Sequence, residues 1–337
     1  MHQFFGGKYR KIIEAAVIII GLYCLLRLFD LILEPTYIIS VIAGVFVLYC
    51  LWVLPSADRY LDGRVAPARD DETTKTIKES SKNAIPFSRT RVWNVLLFLS
   101  TTLITFIVMH FLVLYMHEFS HSFAAYFFGA KADPGNIIWG NGIFGVHCDE
   151  NVDYQTLFTA GKGTTAAAIA FAGPLSNILL FLITAVLLSV KAVRERPWVY
   201  HTVFWASGLT FIMIFEYVFT RSFMTSDDFG NIEHGLGLSP WFIFIPGLIL
   251  GLIGLWYILT VLVPGHYRIV TPGDSSNQYV TITTLSFVFF LLYIGVRILA
   301  YPAVPEWWCG CAGIVALFIV PLLVSPKRWW VQKKTGE

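Results

Sequence analysis

Runs of about twenty apolar residues, separated by polar connections, constrain this chain more than any other feature. A helix crossing the roughly 30 Å hydrocarbon layer needs about 20 such residues, and in lipid each backbone N–H and C=O must be satisfied within its own segment. The runs at 12–34, 37–54, 93–121, 164–190, 199–220, 241–264, 279–299 and 308–325 predict an all-α polytopic membrane protein with about eight transmembrane helices. Composition agrees: 14% of the 337 residues are charged, against about 25% in soluble domains. That content, with a net charge of +2 and no basic stretch interleaved with a reading surface, excludes an ordinary soluble enzyme, a disordered chain and a nucleic-acid partner, and the lipid bilayer is the expected surrounding. The first run is too long for a cleavable leader, is interrupted by Arg27 and Asp30, and has no small-residue cleavage site. Five cysteines, Cys24, Cys50, Cys148, Cys309 and Cys311, follow no paired metal or redox spacing and read as packing residues.

Basic residues set the expected orientation. Lys8, Arg10 and Lys11 precede the first span, eight Lys and Arg lie between 55 and 91, three lie in 191–198, and four occupy the tail. With eight spans all these segments fall on one side, so both termini are predicted cytoplasmic. The chain divides into a two-helix hairpin (1–55), a soluble charged linker (56–91), a membrane core (92–240) and a three-helix extension (241–337).

The chemistry sits at the end of the third span, where His117-Glu118-Phe119-Ser120-His121 forms H-E-x-x-H. Spacing i, i+4 puts both imidazoles on one helical face, able to hold one metal, with Glu118 beside that face as a proton acceptor. The pattern arises by chance in roughly one chain in a hundred of this length. Inside a span the meaning sharpens, because inserting an ionisable side chain at a helix centre costs roughly 2.5–3.5 kcal/mol. Three together call for a metal or a polar cavity. Zinc suits two imidazoles and a third protein ligand, with one position left for water, so one Zn2+ per chain is expected. His110, His147, His201, Glu216, Asp227, Asp228, Glu233 and His234 are the candidates for the third ligand. His110 lies two turns before His117, about 10 Å along the axis, too far to ligate directly. Asp227 and Asp228 lie just past the fifth span, at the same depth as the His pair, and are favoured.

These residues resemble the site-2 proteases, intramembrane zinc metallopeptidases, over roughly 92–235. The resemblance rests on H-E-x-x-H at 117–121, the run Phe171-Ala172-Gly173-Pro174-Leu175-Ser176-Asn177, and the segment Thr225-Ser226-Asp227-Asp228-Phe229-Gly230-Asn231. It implies that His117, His121 and Asp228 hold zinc, that Glu118 is the catalytic base, and that Asn177 hydrogen-bonds substrate backbone or the oxyanion. The third-ligand segment is a divergent form: no Asn-x-x-Pro precedes the acids, and Phe229 separates Asp228 from Gly230. Members commonly place zinc nearer the cytosol, whereas the basic residues here put these helix ends on the far side.

Between the His pair and the next span, Asn141-Gly142 is flanked by β-prone runs, the signal of a small β-hairpin after the metal helix. An exposed hairpin edge could hold a substrate segment extended. The expected function is hydrolysis of peptide bonds in or near transmembrane segments of other membrane proteins. The alternative from another class is a non-catalytic metal-binding membrane protein, a transporter or a degenerate relative. Transporters usually carry matching helix breaks in two halves, and here Gly173-Pro174 has no counterpart. A prenyl-protein endopeptidase would need a helical Glu ligand motif that this chain lacks.

Overall fold

The computed structural model describes residues 89–139, 148–296 and 307–324. The expected spans at 12–34 and 37–54, nearly all of the linker, His147 and the tip of the expected hairpin (140–147) lie outside the described residues. The described chain is mainly helical: α1 (Arg89–Phe127), α2 (Tyr154–Thr159), α3 (Gly163–Leu187), α4 (Lys191–Arg194), α5 (Pro197–Thr220) and α6 (Asp228–Leu236). Then come α7 (Trp241–Ile269) and α8 (Ser275–Gly295), each with a π-helical stretch, and α9 (Trp307–Leu323).

Among the described residues, α1, α3, α5, α7 and α8 are long and apolar enough to cross a membrane; α9, at 17 residues, is shorter. Burial separates inner from outer helices. Within the protein, 78% of the apolar window of both α5 and α8 is buried, against 11% in α1 and 17% in α7. Apolar surface such as Leu97, Ile104, Leu250 and Trp256 is therefore exposed where lipid would meet it, while Trp205, Ile212, Leu285 and Phe289 are enclosed. One apolar core joins Leu114 of α1, Trp205 of α5, Ile258 of α7, Phe289 of α8 and Leu317 of α9. The extension beginning at residue 241 thus packs into the same core as α1 and α5.

Local chemistry accounts for where the elements start. Asp153 caps α2 by accepting from Thr156 N–H at 3.0 Å, Asp274 caps α8 by accepting from Asn277 N–H at 3.2 Å, and Pro197 occupies the first turn of α5. The short α6 ends at Gly237 in the left-handed conformation, φ 63°. It crosses α3 where glycine meets glycine: a Cβ at Gly163 would lie 2.8 Å from the Gly235 carbonyl oxygen, and a Cβ at Gly235 would collide with the Gly163 carbonyl. This contact sets the last turn of α6 against the first turn of α3.

Where the sequence predicts a hairpin, the described residues contain no strand and a single antiparallel bridge. Ile138 and Asp149 exchange two backbone hydrogen bonds of 2.9 Å, closing the segment between them. Lys131 ties this base to α1: its ammonium donates to Ser122 Oγ at 2.8 Å, to Asn136 O at 2.6 Å and to Glu150 O.

Candidate metal centre

Three side chains from two distant segments converge between α1, α3 and α6. His117 and His121 project from the same face of α1, and Asp228 from the first position of α6, all at most 6% exposed. His117 Nε2 lies 3.1 Å from His121 Nε2 and 3.2 Å from Asp228 Oδ2; His121 Nε2 lies 3.3 Å from Asp228 Oδ1. Ligands of a tetrahedral zinc ion with bonds of about 2.05 Å stand about 3.3 Å apart, so this triangle matches one face of such a tetrahedron. The donor set, two imidazoles and a carboxylate, also suits zinc. The group could hold a metal ion.

The tautomers are set from behind. His121 Nδ1 donates to the Ile169 carbonyl at 2.8 Å, leaving Nε2 with its lone pair facing the group. Pro174 sits inside α3 without an N–H for the Ala170 carbonyl, opening the helix at the turn where Ile169 accepts this bond. Gly173 is required by proximity: a Cβ there would stand 2.7 Å from His117 Nε2 and would overlap His121 Nε2. The Gly-Pro pair therefore lets a helix backbone lie directly against two imidazoles.

Asn177, expected to contact substrate, is 1% exposed, and its amide lies 3.0 Å from His117 Nδ1. With nitrogen toward the ring, Asn177 Oδ1 is buried and unpaired. Turning the amide over lets Oδ1 accept Nδ1–H and leaves the Nε2 lone pair for a metal.

The other acids and histidines considered as ligands lie elsewhere. Asp227 accepts from the Asp228 N–H at 3.0 Å and pairs with Arg221. It holds φ 86°, ψ 175°, a region otherwise left to glycine. This turn sends two adjacent carboxylates in different directions. His201 Nδ1 lies 2.9 Å from His266 Nε2 in a separate buried pair; Glu216 accepts from Thr220 Oγ1 at 2.7 Å; and His234 stands against Phe158, ring centroids 4.3 Å apart. Glu233 is buried on α6, outside the metal group. His110 meets Tyr293 Oη at 2.7 Å, which gives α8 a contact with α1.

A cavity of about 680 Å³ runs along the site. Its α1 wall is His110, Leu114, His117, Glu118 and His121, one face of the helix; Met213, Tyr217 and Arg221 face it at successive turns. Glu118 lines the same space at 6% exposure. At the outer end Glu150 accepts from Tyr154 Oη at 2.5 Å, and burial pushes its carboxyl pKa above the usual range. Tyr217 Oη lies 3.3 Å from His117 Nε2, and Arg221 stacks 4.4 Å over the Tyr217 ring. Sequence reading passed over Tyr217, Glu150 and Tyr154. The one local signal was the i, i+4 spacing of Tyr217 and Arg221, obscured by an aromatic-rich span. In comparison with known protein families, curated proteins and solved structures, nothing matches this chain.

Proposed function

We propose that this chain is an intramembrane zinc endopeptidase acting on transmembrane segments of other membrane proteins. The observation that carries the reading is the tetrahedral-sized triangle of His117, His121 and Asp228 beside Glu118, in one cavity between apolar spans. A zinc ion held by those three residues would polarise a carbonyl and bring the pKa of water near neutrality. Glu118 takes the proton from the attacking water and returns it to the leaving amine. Asn177 and the Ile169 carbonyl orient the two imidazoles through their Nδ1 atoms. The substrate must leave its helical conformation to be cut, because amides paired within a helix shield the scissile bond. The distribution of basic residues supports a cytoplasmic side for both termini.

The test is purified full-length protein with Glu118→Gln. The variant keeps zinc at the wild-type level and loses cleavage of a transmembrane peptide. A zinc-loaded Glu118→Gln protein that cuts at the wild-type rate would overturn the mechanism, and a wild type that binds zinc without cutting would favour a non-catalytic role.

A further inference from the structure

His117 Nε2 has more polar neighbours than it can serve. A neutral imidazole with Nδ1–H carries one lone pair on Nε2. Around that atom stand His121 Nε2 at 3.1 Å, Asp228 Oδ2 at 3.2 Å and Tyr217 Oη at 3.3 Å. The first two belong to the ligand group. Tyr217 is the neighbour that brings an O–H, and it comes from a different helix, α5.

The Tyr217 ring is held on several sides. It meets the His117 ring edge-on, centroids 5.5 Å apart at 81°, and the Phe229 ring at 6.0 Å and 90°. Arg221 covers its face and pairs with Asp227, the residue before the Asp228 ligand. The phenol is 7% exposed, and the residue lines the cavity with Glu118. A ring so packed keeps its hydroxyl close to the ligand triangle whether or not His117 accepts from it.

We propose that Tyr217 is a further catalytic residue: its hydroxyl donates a hydrogen bond to the oxygen of the scissile carbonyl as negative charge develops there. The proposal rests on the endopeptidase reading. With the His117 Nε2 lone pair committed to a metal ion, the same O–H, held beside the ligand triangle, can turn to the oxygen of a carbonyl bound in the cavity. No proton changes owner in this step; the bond strengthens as the oxygen becomes an anion, so it favours the transition state over bound substrate. Deleting one such donor costs roughly 10²–10³ in turnover.

The experiment compares zinc-loaded wild type and Tyr217→Phe, full-length, on a transmembrane peptide. Phenylalanine keeps the ring and removes the hydroxyl alone. Expected are a fall in kcat of about 10²-fold or more, KM within about threefold, and unchanged zinc content. A peptide phosphinate, whose tetrahedral group imitates the charged oxygen, loses affinity for Tyr217→Phe by a comparable factor. Uncut peptide binds Glu118→Gln and Glu118→Gln/Tyr217→Phe alike. A merely structural role would instead move zinc content or uncut-peptide binding, and either result overturns the proposal, as does a kcat within threefold of wild type. Cleavage by wild type that survives in Tyr217→Phe removes this inference alone. A wild type as inactive as Glu118→Gln removes the endopeptidase reading and this inference with it.

Discussion

Gly173→Ala is the most informative single perturbation of the metal centre, because elementary helix energetics give it the opposite sign. In a helix interior alanine is better than glycine by up to about 1 kcal/mol. At this position the added methyl would stand 2.7 Å from both Nε2 and Cε1 of His117 and overlap His121 Nε2. Ordinary contact there requires about 3.5 Å, so α3 or the imidazoles must retreat by close to an ångström. Overpacking of this kind costs about 1–3 kcal/mol, and metal–ligand distances tolerate only about 0.2 Å. If the strain falls on the ligand geometry, zinc dissociation constants rise about 5- to 150-fold. Competition against a chromogenic chelator reads that change directly, and circular dichroism checks that helix content is kept. Wild-type zinc affinity in a folded Gly173→Ala protein would refute the argument that this backbone lies against the donor nitrogens.

Three further outcomes are expected. Asn177→Ala leaves His117 Nδ1 without its partner and weakens zinc binding about 10- to 100-fold, while Asn177→Asp, which keeps an acceptor, restores most of it; equal loss in both would mean that the amide donates instead. Asp228→Asn loses zinc measured by metal analysis, whereas Asp227→Asn keeps it and costs about 1 kcal/mol of stability through the Arg221 pair; the reverse pattern would exchange their roles. Burial pushes the Glu233 carboxyl up to about 7 from an ordinary 4.5, so the folded state holds a proton that the unfolded state has released between those values. Its contribution to stability therefore falls as pH rises from about 4.5 to about 7 and stays low above that. Glu233→Gln should show a higher Tm than wild type at pH 8 and a smaller difference at pH 4, and equal Tm differences at both would exclude this origin.

Run length and composition were enough to read from the sequence the five helices that, among the described residues, are long and apolar enough to cross a membrane, because lipid penalises unsatisfied backbone and stray charge wherever they occur along a segment. They were also enough to place His117 and His121 on one face, since 3.6 residues per turn align i and i+4 without help from the rest of the chain. The third member of the group was a different problem. Asp228 is 111 residues from His117, resemblance of its segment favoured it over Asp227, and the turn that caps α6 together with Arg221 is what sends the two neighbouring carboxylates apart. Asn177 is marked in the sequence by its motif, but its contact with His117 Nδ1 depends on how closely α3 lies against α1 at Gly173. Tyr217 carried only its i, i+4 spacing to Arg221 as a signal, because an aromatic in an aromatic-rich span becomes special only through what it meets across the cavity. The Asn141-Gly142 pattern spoke for a hairpin, and the described residues support only the Ile138–Asp149 bridge at its base. Local stiffness of the chain determines which side chains share a face. Which faces meet, and so which atoms come within bonding distance, is decided by packing between segments far apart in sequence.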